Sequence, residues 1–221
     1  LMLTYFWGFS GGQIFLWTLL VFLSALIGLL VAPRIVKRFG KKRGVIWLGV
    51  IAFTMAPAPV ILRLIGLMPA NGDPLLYPIV ATINTIDVAL IIALQAVLYS
   101  MIADLVEQSE LRTGRRSEGV FFAAVTFTRK ATQGLGAFSA GLILSFVSFP
   151  QGAAVGDVSP ETLWRLGACY APTLLLLWTC MIIAVGYYRI DRGDHEDNLQ
   201  QLAVRRSAEA ARQSVGAGDT D

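Results

Sequence analysis

An uncharged apolar run occupies Gln13–Ala32 and reads QIFLWTLLVFLSALIGLLVA. A helix needs about 20 predominantly apolar residues to cross a hydrocarbon core of roughly 30 Å, and this run is that long. The run is followed by Pro33 and Arg34. It therefore predicts a membrane-spanning helix that stops at Pro33-Arg34.

Further apolar stretches follow this run along the chain, and a short one precedes it. They lie at Leu1–Phe9, Val45–Met68, Leu75–Ala103, Glu118–Phe149 and Leu163–Tyr188. Proline residues inside two of them, Pro57, Pro59 and Pro172, are expected to kink their helices. Because the chain opens on Leu1 in an already apolar segment, we expect a first helix that is truncated. The sequence thus predicts an all-α integral membrane protein with five complete spans and part of a sixth.

The overall composition agrees with a membrane protein. The 221 residues are 55% hydrophobic and 15% charged, with a mean hydropathy of +0.63, whereas soluble domains carry about 25% charged residues. The net charge of +3 does not indicate a nucleic-acid partner, because the basic residues form short clusters between apolar runs. With two cysteines and one histidine, we expect neither a disulfide framework nor a metal site.

The basic residues between the spans predict the orientation. One cluster comprises Arg34, Lys37, Arg38, Lys41, Lys42 and Arg43, a second comprises Arg112, Arg115 and Arg116, and Arg189 and Arg192 follow the last span. These clusters lie on one side if the helices alternate, and the connections on the other side carry almost no positive charge. The positive-inside rule therefore predicts a cytoplasmic C-terminus. Residues 191–221 are polar and predict a cytoplasmic tail.

Two spans carry polar residues whose burial in a membrane would be costly. Thr126, Lys130 and Gln133 share one helix face, since they recur at i, i+4 and i+7. Asp87 and Gln95 fall close to one face of the preceding span. Lys130 either forms a structural ion pair within a helix bundle or lines a pathway for a solute and an ion. Arg129 lies about 100° around the helix from Lys130, so it could point toward a neighbouring helix instead of the same cavity. Asp87 either pairs with Lys130 or Arg129, or binds a coupling cation or proton.

A dense group of charges lies between these two spans, at the predicted cytoplasmic side. Its members are Asp104, Glu107, Glu110, Arg112, Arg116 and Glu118. Such a group is either a solvated surface or a gate of salt bridges at the inner mouth. Glycines are frequent in the span after Glu118, where they either allow close helix packing or loosen the helix near Lys130.

The stretch Ser100–Gly119 reads SMIADLVEQSELRTGRRSEG. It resembles the signature of the glycoside–pentoside–hexuronide:cation symporters of the major facilitator superfamily, A-D-x-[VI]-[DE]-x-x-E-x-x-T-G-x-R-x-E-G. The match continues through an aromatic-rich segment to Lys130 and Gly136, and the specific motif covers Ser100–Gly141.

The resemblance implies that residues 1–190 form helices seven to twelve of a twelve-helix fold, with the N-terminal half missing. It implies a symporter of a sugar or glycoside that works by alternating access in the bacterial inner membrane. Lys130 matches the family's lysine that connects the sugar and cation sites, and Thr126 lies where relatives contact sugar. Gln95 falls where melibiose-type relatives carry an aromatic. The expected partners are a small solute, a coupling cation (Na⁺ or H⁺), the missing half and membrane lipid, without any other cofactor.

Three alternatives remain open from the sequence. The chain could be a non-transporting helical membrane module, a degenerate transporter half, or a family member that moves a lipid-like solute. An enzyme is not expected, because the sequence contains no recognisable catalytic constellation.

Overall fold

The computed structural model describes residues 1–114, 118–150, 152–154 and 156–187. The predicted tail at 191–221 lies outside the described residues. A short π-helical turn, Met2–Phe6, is followed by six α-helices. They are α1 (Gly11–Phe39), α2 (Lys41–Met55), α3 (Ala58–Leu64), α4 (Leu76–Thr113), α5 (Glu118–Phe146) and α6 (Pro160–Gly186). The regular structure of the described residues is entirely helical, as predicted.

Helix α1 begins at a capping box and ends at a glycine. The Ser10 side chain accepts a hydrogen bond from the Gln13 backbone N–H, and the Ser10 N–H donates to Gln13 Oε1 at 2.8 Å. The expected end at Pro33 is wrong, because the helix continues through Pro33 to Phe39. A proline removes only one intrahelical hydrogen bond, whereas Gly40 adopts a positive φ of 77° that ends the helix.

The next span starts earlier than its apolar run and is broken by proline. Helix α2 begins at Lys41, directly after Gly40. The first basic cluster therefore lies in the last turns of α1 and the first turn of α2 rather than in a loop. Helix α2 ends at Met55, and α3 begins at Ala58, after Pro57. The predicted kink is therefore a break between two helices.

Four segments of the described chain are long and apolar enough to span a membrane by length and composition. They are Gly11–Phe39, Lys41–Leu64, Leu76–Leu111 and Pro160–Ala184. The expected fifth span, α5, has 29 residues but is not among them. Its middle carries Arg129, Lys130 and Gln133, which lower its hydropathy. Length and composition alone therefore identify four of the five complete spans expected, and the span at α5 stays a prediction.

Helix α4 lies at the centre of the packing and contacts α1 and α2. One buried cluster joins the N-terminal segment, α3, α4 and α6; its members are Phe6, Trp7, Phe9, Val60, Leu76, Val80 and Ala171. A second cluster joins α1, α2 and α4 through Ala32, Val45, Leu48, Ala93, Leu94, Val97 and Met101. Helix α5 contributes no buried residue in the described chain, and most of its residues are exposed.

The two ends of the bundle differ in chemistry. We call the end where α1 meets α2 the basic end, and the other the opposite end. At the opposite end, the Tyr77 hydroxyl donates to the Gln13 carbonyl at 3.0 Å. The Arg63 guanidinium donates to the Pro69 carbonyl and to Asn71 Oδ1. These bonds tie the connections between helices to the helix ends.

Candidate functional site

Helix α5 presents a continuous polar and aromatic stripe. The stripe consists of Phe122, Val125, Thr126, Arg129, Lys130 and Gln133. Successive members are either three residues apart or adjacent, and every second member is four residues further along. Positions three and four apart lie on one face of an α-helix. The stripe therefore forms a single wall along α5.

This wall and Tyr99 of α4 line a partly open pocket of about 290 Å³. The structure brings Thr126, Lys130 and Gln133 together in it, as their spacing suggested. Lys130 lies twelve residues beyond Glu118, about 18 Å along the helix. That depth places the pocket well inside a hydrocarbon core of roughly 30 Å if α5 crosses it. The wall residues from Thr126 onward are exposed, so the pocket is open on the side away from α4.

The lining combines three kinds of chemistry. Arg129 and Lys130 supply two positive charges, and neither forms an ion pair with another described residue. Thr126 and Gln133 offer hydroxyl and amide groups that can hydrogen-bond to a polar solute. Tyr99 and Phe122 add aromatic faces. Aromatic faces beside convergent polar groups are typical of sites for small polar ligands.

Arg129 is the residue that the sequence reasoning missed. A rotation of about 100° from Lys130 suggested a side chain pointing to a neighbouring helix. In the structure both residues line the same pocket. The sequence spacing does group Arg129 with other pocket residues. Arg129 follows Phe122 by seven residues and Val125 by four, which puts the three on one helix face.

Asp87 and Gln95 lie on α4 but do not line this pocket. Gln95 is exposed. Asp87 is only 6% exposed, and its Oδ1 has no hydrogen-bond partner among the described residues. Of the two alternatives for Asp87, pairing with Lys130 or Arg129 is absent from the described chain. Tyr170 of α6 lies within electrostatic range of Asp87, so this acid faces the packed interior instead of the pocket.

The basic end contains a defined ion pair between two helices. Lys41 Nζ, at the start of α2, lies 2.6 Å from Asp104 Oδ1 and 2.8 Å from Oδ2 on α4. The Asp104 side chain is 5% exposed and that of Lys41 is 23% exposed. The charges at this end were interpreted either as a solvated surface or as a gate of salt bridges. Asp104 does not fit a solvated surface, because its side chain is buried and paired.

The other charges predicted for this end lie close to Asp104 in sequence. Glu107 and Glu110 are half-buried near the end of α4, and Glu118 is half-buried at the start of α5. Arg112 belongs to α4, although its side chain is not described, and Arg116 lies outside the described residues. The acids thus gather where α4 ends and α5 begins.

The glycines of α5 do not pack against the described chain. A Cβ atom added at Gly119, Gly134, Gly136 or Gly141 would meet nothing within 4 Å. Close approaches occur elsewhere: an added Cβ would lie 2.6 Å from the Ala89 carbonyl oxygen of α4 at Gly28, and 2.8 Å from Phe6 Cε2 at Gly167.

Comparison with known proteins places this arrangement in a family. The model of the family described as MFS/sugar transport protein matches residues 1–192. An uncharacterized symporter of Synechocystis sp. is 34% identical over 110 residues, which cover 48% of this chain and 20% of the relative. A putative sulfoquinovose importer of Salmonella typhimurium is 26% identical over 187 residues, which cover 82% of this chain and 36% of the relative.

A putative glycoside/cation symporter of Escherichia coli is 25% identical over 187 residues, 85% of this chain and 38% of the relative. The chain thus spans well under half the length of these curated relatives. No solved structure matches the chain. The family match and these relatives confirm the resemblance seen in Ser100–Gly141. The chain belongs to the MFS/sugar transport protein family of multi-pass membrane transporters.

Proposed function

We propose that this chain is part of a cation-coupled symporter of a sugar or glycoside, and that the α5 pocket holds the solute. The observation that carries the proposal is the pocket itself, where Thr126, Lys130 and Gln133 converge with aromatic side chains. A charged side chain at the centre of a membrane helix costs about 2.5–3.5 kcal/mol on insertion scales. Such residues mark solute or ion pathways in membrane proteins.

Lys130 is the residue through which the cation and the solute would be coupled. A flexible ammonium group can move between a solute oxygen and an acid of a cation site, so occupancy of one site alters the other. The coupling cation would be Na⁺ or H⁺. Its acidic ligands would lie in other parts of a full-length transporter, together with the second wall that closes the open side of the pocket.

The names of the relatives support a small polar solute. They include a glycoside/cation symporter, a sulfoquinovose importer and an exporter of 2,3-dihydroxypropane-1-sulfonate. The part of the pocket that this chain forms, about 290 Å³, is slightly smaller than typical ligand sites, which measure about 300–1,000 Å³.

Transport would proceed by alternating access, with two helical halves rocking around a site near the middle of the membrane. The basic end would face the cytoplasm of a bacterial inner membrane, because Lys and Arg accumulate on that side. The Lys41–Asp104 pair would hold the start of α2 against α4 at the inner mouth. The acidic residues Glu107, Glu110 and Glu118 would contribute to the same gate.

The proposal is tested with the full-length transporter in proteoliposomes. Uptake of glucose, galactose and their glycosides is measured with and without an imposed Na⁺ or H⁺ gradient. Lys130→Ala is expected to reduce gradient-driven uptake at least about 10-fold, since a charge-assisted contact is lost. Lys42→Ala serves as the matched control, because Lys42 lies at the basic end outside the pocket. Normal gradient-driven uptake by Lys130→Ala would contradict the assignment.

A further inference from the structure

We propose that the start of α2 binds an anionic phospholipid, with Arg43 and Arg38 on the headgroup phosphate and Trp47 beneath them. The lipid class is a phospholipid whose headgroup carries a phosphodiester and no ammonium group. The inference concerns the outer surface of the helices, so it depends neither on the identity of the solute nor on cation coupling.

Helix α2 has two faces of different character. Its buried face comprises Gly44, Val45, Leu48, Gly49 and Ala52. The other face is exposed and comprises Arg43, Trp47, Val50, Ile51 and Thr54. The exposed positions recur at i, i+4, i+7, i+8 and i+11, so they form one stripe along the helix. We call this surface the α2 stripe.

The α2 stripe lies on the far side of α4 from the pocket. On α4, Val97 and Met101 belong to the buried cluster that includes Val45 and Leu48 of α2. Tyr99, which lines the pocket, is two positions away from each of these α4 residues, about 160° around the helix. A second half that closes the open side of the pocket would therefore cover α5 and leave the α2 stripe facing lipid.

The composition of the stripe changes with depth as a lipid leaflet does. Trp47 lies about 6 Å deeper than Arg43, and Val50 and Ile51 lie about 10–12 Å deeper. A headgroup layer is roughly 5–7 Å thick, given a bilayer of about 40–45 Å with a hydrocarbon core of about 30 Å. With Arg43 at the level of the phosphates, Trp47 reaches the edge of the hydrocarbon, where tryptophan is enriched. Val50 and Ile51 then lie along the acyl chains.

Two arginines at the upper end of the stripe are available for an anion. Lys41 is paired with Asp104, whereas neither Arg43 nor Arg38 forms an ion pair with another described residue. Both arginines are exposed. Arg38 precedes Gly40 by two residues and Arg43 follows it by three, so both lie within one turn of the junction between α1 and α2. The anion that a membrane supplies at this depth is a lipid phosphate.

The side chains also specify the kind of lipid. A guanidinium presents paired N–H donors that match two oxygens of a phosphodiester. The Trp47 indole N–H can donate to an oxygen at the hydrocarbon edge while its ring lies against the acyl chains. A zwitterionic lipid carries its own ammonium group close to the phosphate, which competes with the arginines. The arginines therefore favour a headgroup with a net negative charge.

The test measures lipid binding to the full-length transporter in detergent by native mass spectrometry. Each variant is mixed with isotopically labelled wild type, and the two compete for phosphatidylglycerol or for phosphatidylcholine with the same acyl chains. The variants are Arg43→Gln, Arg38→Gln and Trp47→Ala. Thermal unfolding followed by circular dichroism verifies that each variant is folded.

The start of α6 supplies matched controls at the opposite end. Trp164 and Arg165 are both exposed there, but Arg165 is paired with Glu161 at 2.6 Å. Arg165→Gln and Trp164→Ala therefore remove the same kinds of side chain from a place where the positive charge is already compensated.

We expect the wild type to bind phosphatidylglycerol at least about 5-fold more tightly than phosphatidylcholine. Arg43→Gln and Arg38→Gln should each weaken phosphatidylglycerol binding about 5-fold and leave phosphatidylcholine binding within about 2-fold. Trp47→Ala should weaken the binding of both lipids at least about 3-fold, because it removes contact with the lipid body rather than charge. Neither control should change the binding of either lipid.

Three outcomes would overturn the inference. The first is equal binding of the two lipids by the wild type, and the second is full phosphatidylglycerol affinity in both Arg43→Gln and Arg38→Gln. The third is displacement of the lipid by an equal concentration of glycerophosphoglycerol, its soluble headgroup, since this would indicate a simple anion site without a lipid-binding stripe.

Discussion

Substitution of Gly28 by alanine tests the contact between α1 and α4. An added Cβ would lie 2.6 Å from the Ala89 carbonyl oxygen, 3.0 Å from Ile92 Cβ and 3.1 Å from Ile92 Cγ2. Ordinary contacts of a Cβ atom begin near 3.4 Å. The carbonyl is therefore about 0.8 Å too close in an interior packed at crystal-like density. Because the nearest atom belongs to the backbone, no side-chain rotation relieves the clash.

The expected change in the free energy of unfolding follows from two opposed effects. Overpacking costs typically about 1–3 kcal/mol, and a backbone obstacle favours the upper part of that range. Alanine is a better helix former than glycine by about 0.8–1.0 kcal/mol, which offsets part of the cost. We therefore expect Gly28→Ala to lower the free energy of unfolding by about 1–2 kcal/mol.

Denaturant unfolding of the full-length protein in detergent, followed by circular dichroism, measures this change. Gly12→Ala is the matched control on the same helix, because a Cβ at Gly12 meets nothing within 4 Å. It is expected to be neutral or slightly stabilising. A Gly28→Ala variant as stable as the wild type would refute the close packing of α1 on α4.

Three further variants test other parts of the account by the same unfolding measurement. Lys41→Met and Asp104→Asn should each cost about 1–3 kcal/mol, and the double variant should recover at least about 1 kcal/mol of the summed loss; additive losses would contradict a direct pair. Asp87→Asn should raise the free energy of unfolding by about 1 kcal/mol or more, because it removes a buried charge; a clear loss of stability would reveal a partner for Asp87. Arg63→Gln should cost about 1–2 kcal/mol and speed hydrogen exchange in the connection around Asn71, and unchanged exchange would show that this hydrogen bond does not hold the connection.

The positions of the helices follow from the sequence more closely than their ends do. Apolar runs such as Gln13–Ala32 predict helices because a membrane segment must satisfy its own backbone hydrogen bonds. The end of α1 was misplaced because Pro33 is a weaker stop than Gly40, whose positive φ terminates the helix. Hydropathy marks where the membrane lies, whereas capping residues determine where a helix ends.

Contacts between helices were less predictable. The pairing of Lys41 with Asp104 joins residues 63 positions apart, and periodicity within one helix carries no information about such a pair. The glycines of α5 suggested close packing, yet the close approaches are at Gly28 and Gly167. Which small residue meets a neighbour depends on the relative rotation of two helices, which a single sequence does not specify.

The residues that line the pocket could be predicted only in part from the sequence. Thr126, Lys130 and Gln133 could be grouped from their spacing, because helical geometry alone puts them on one face. Arg129 was expected to point toward a neighbouring helix because it lies about 100° around the helix from Lys130, whereas the wall is broad enough to include adjacent residues. Asp87 was predicted to pair with the cations of α5 or to bind a coupling ion, because it is a polar residue within a span. The orientation of α4 instead places its side chain in the packed interior.

The most direct test of the central claim asks whether the solute sits against the α5 wall. Single cysteines at Gln133 and, as a control, at the exposed Ala131, which does not line the pocket, are introduced after Cys169 and Cys180 are replaced by serine. Their reaction with a membrane-impermeant maleimide is followed in the full-length transporter with and without the transported solute. Because ligand pockets bury most of a bound ligand's surface, the solute should slow labelling of Gln133→Cys at least about 5-fold and leave Ala131→Cys unchanged. Equal labelling of Gln133→Cys with and without solute would contradict the account.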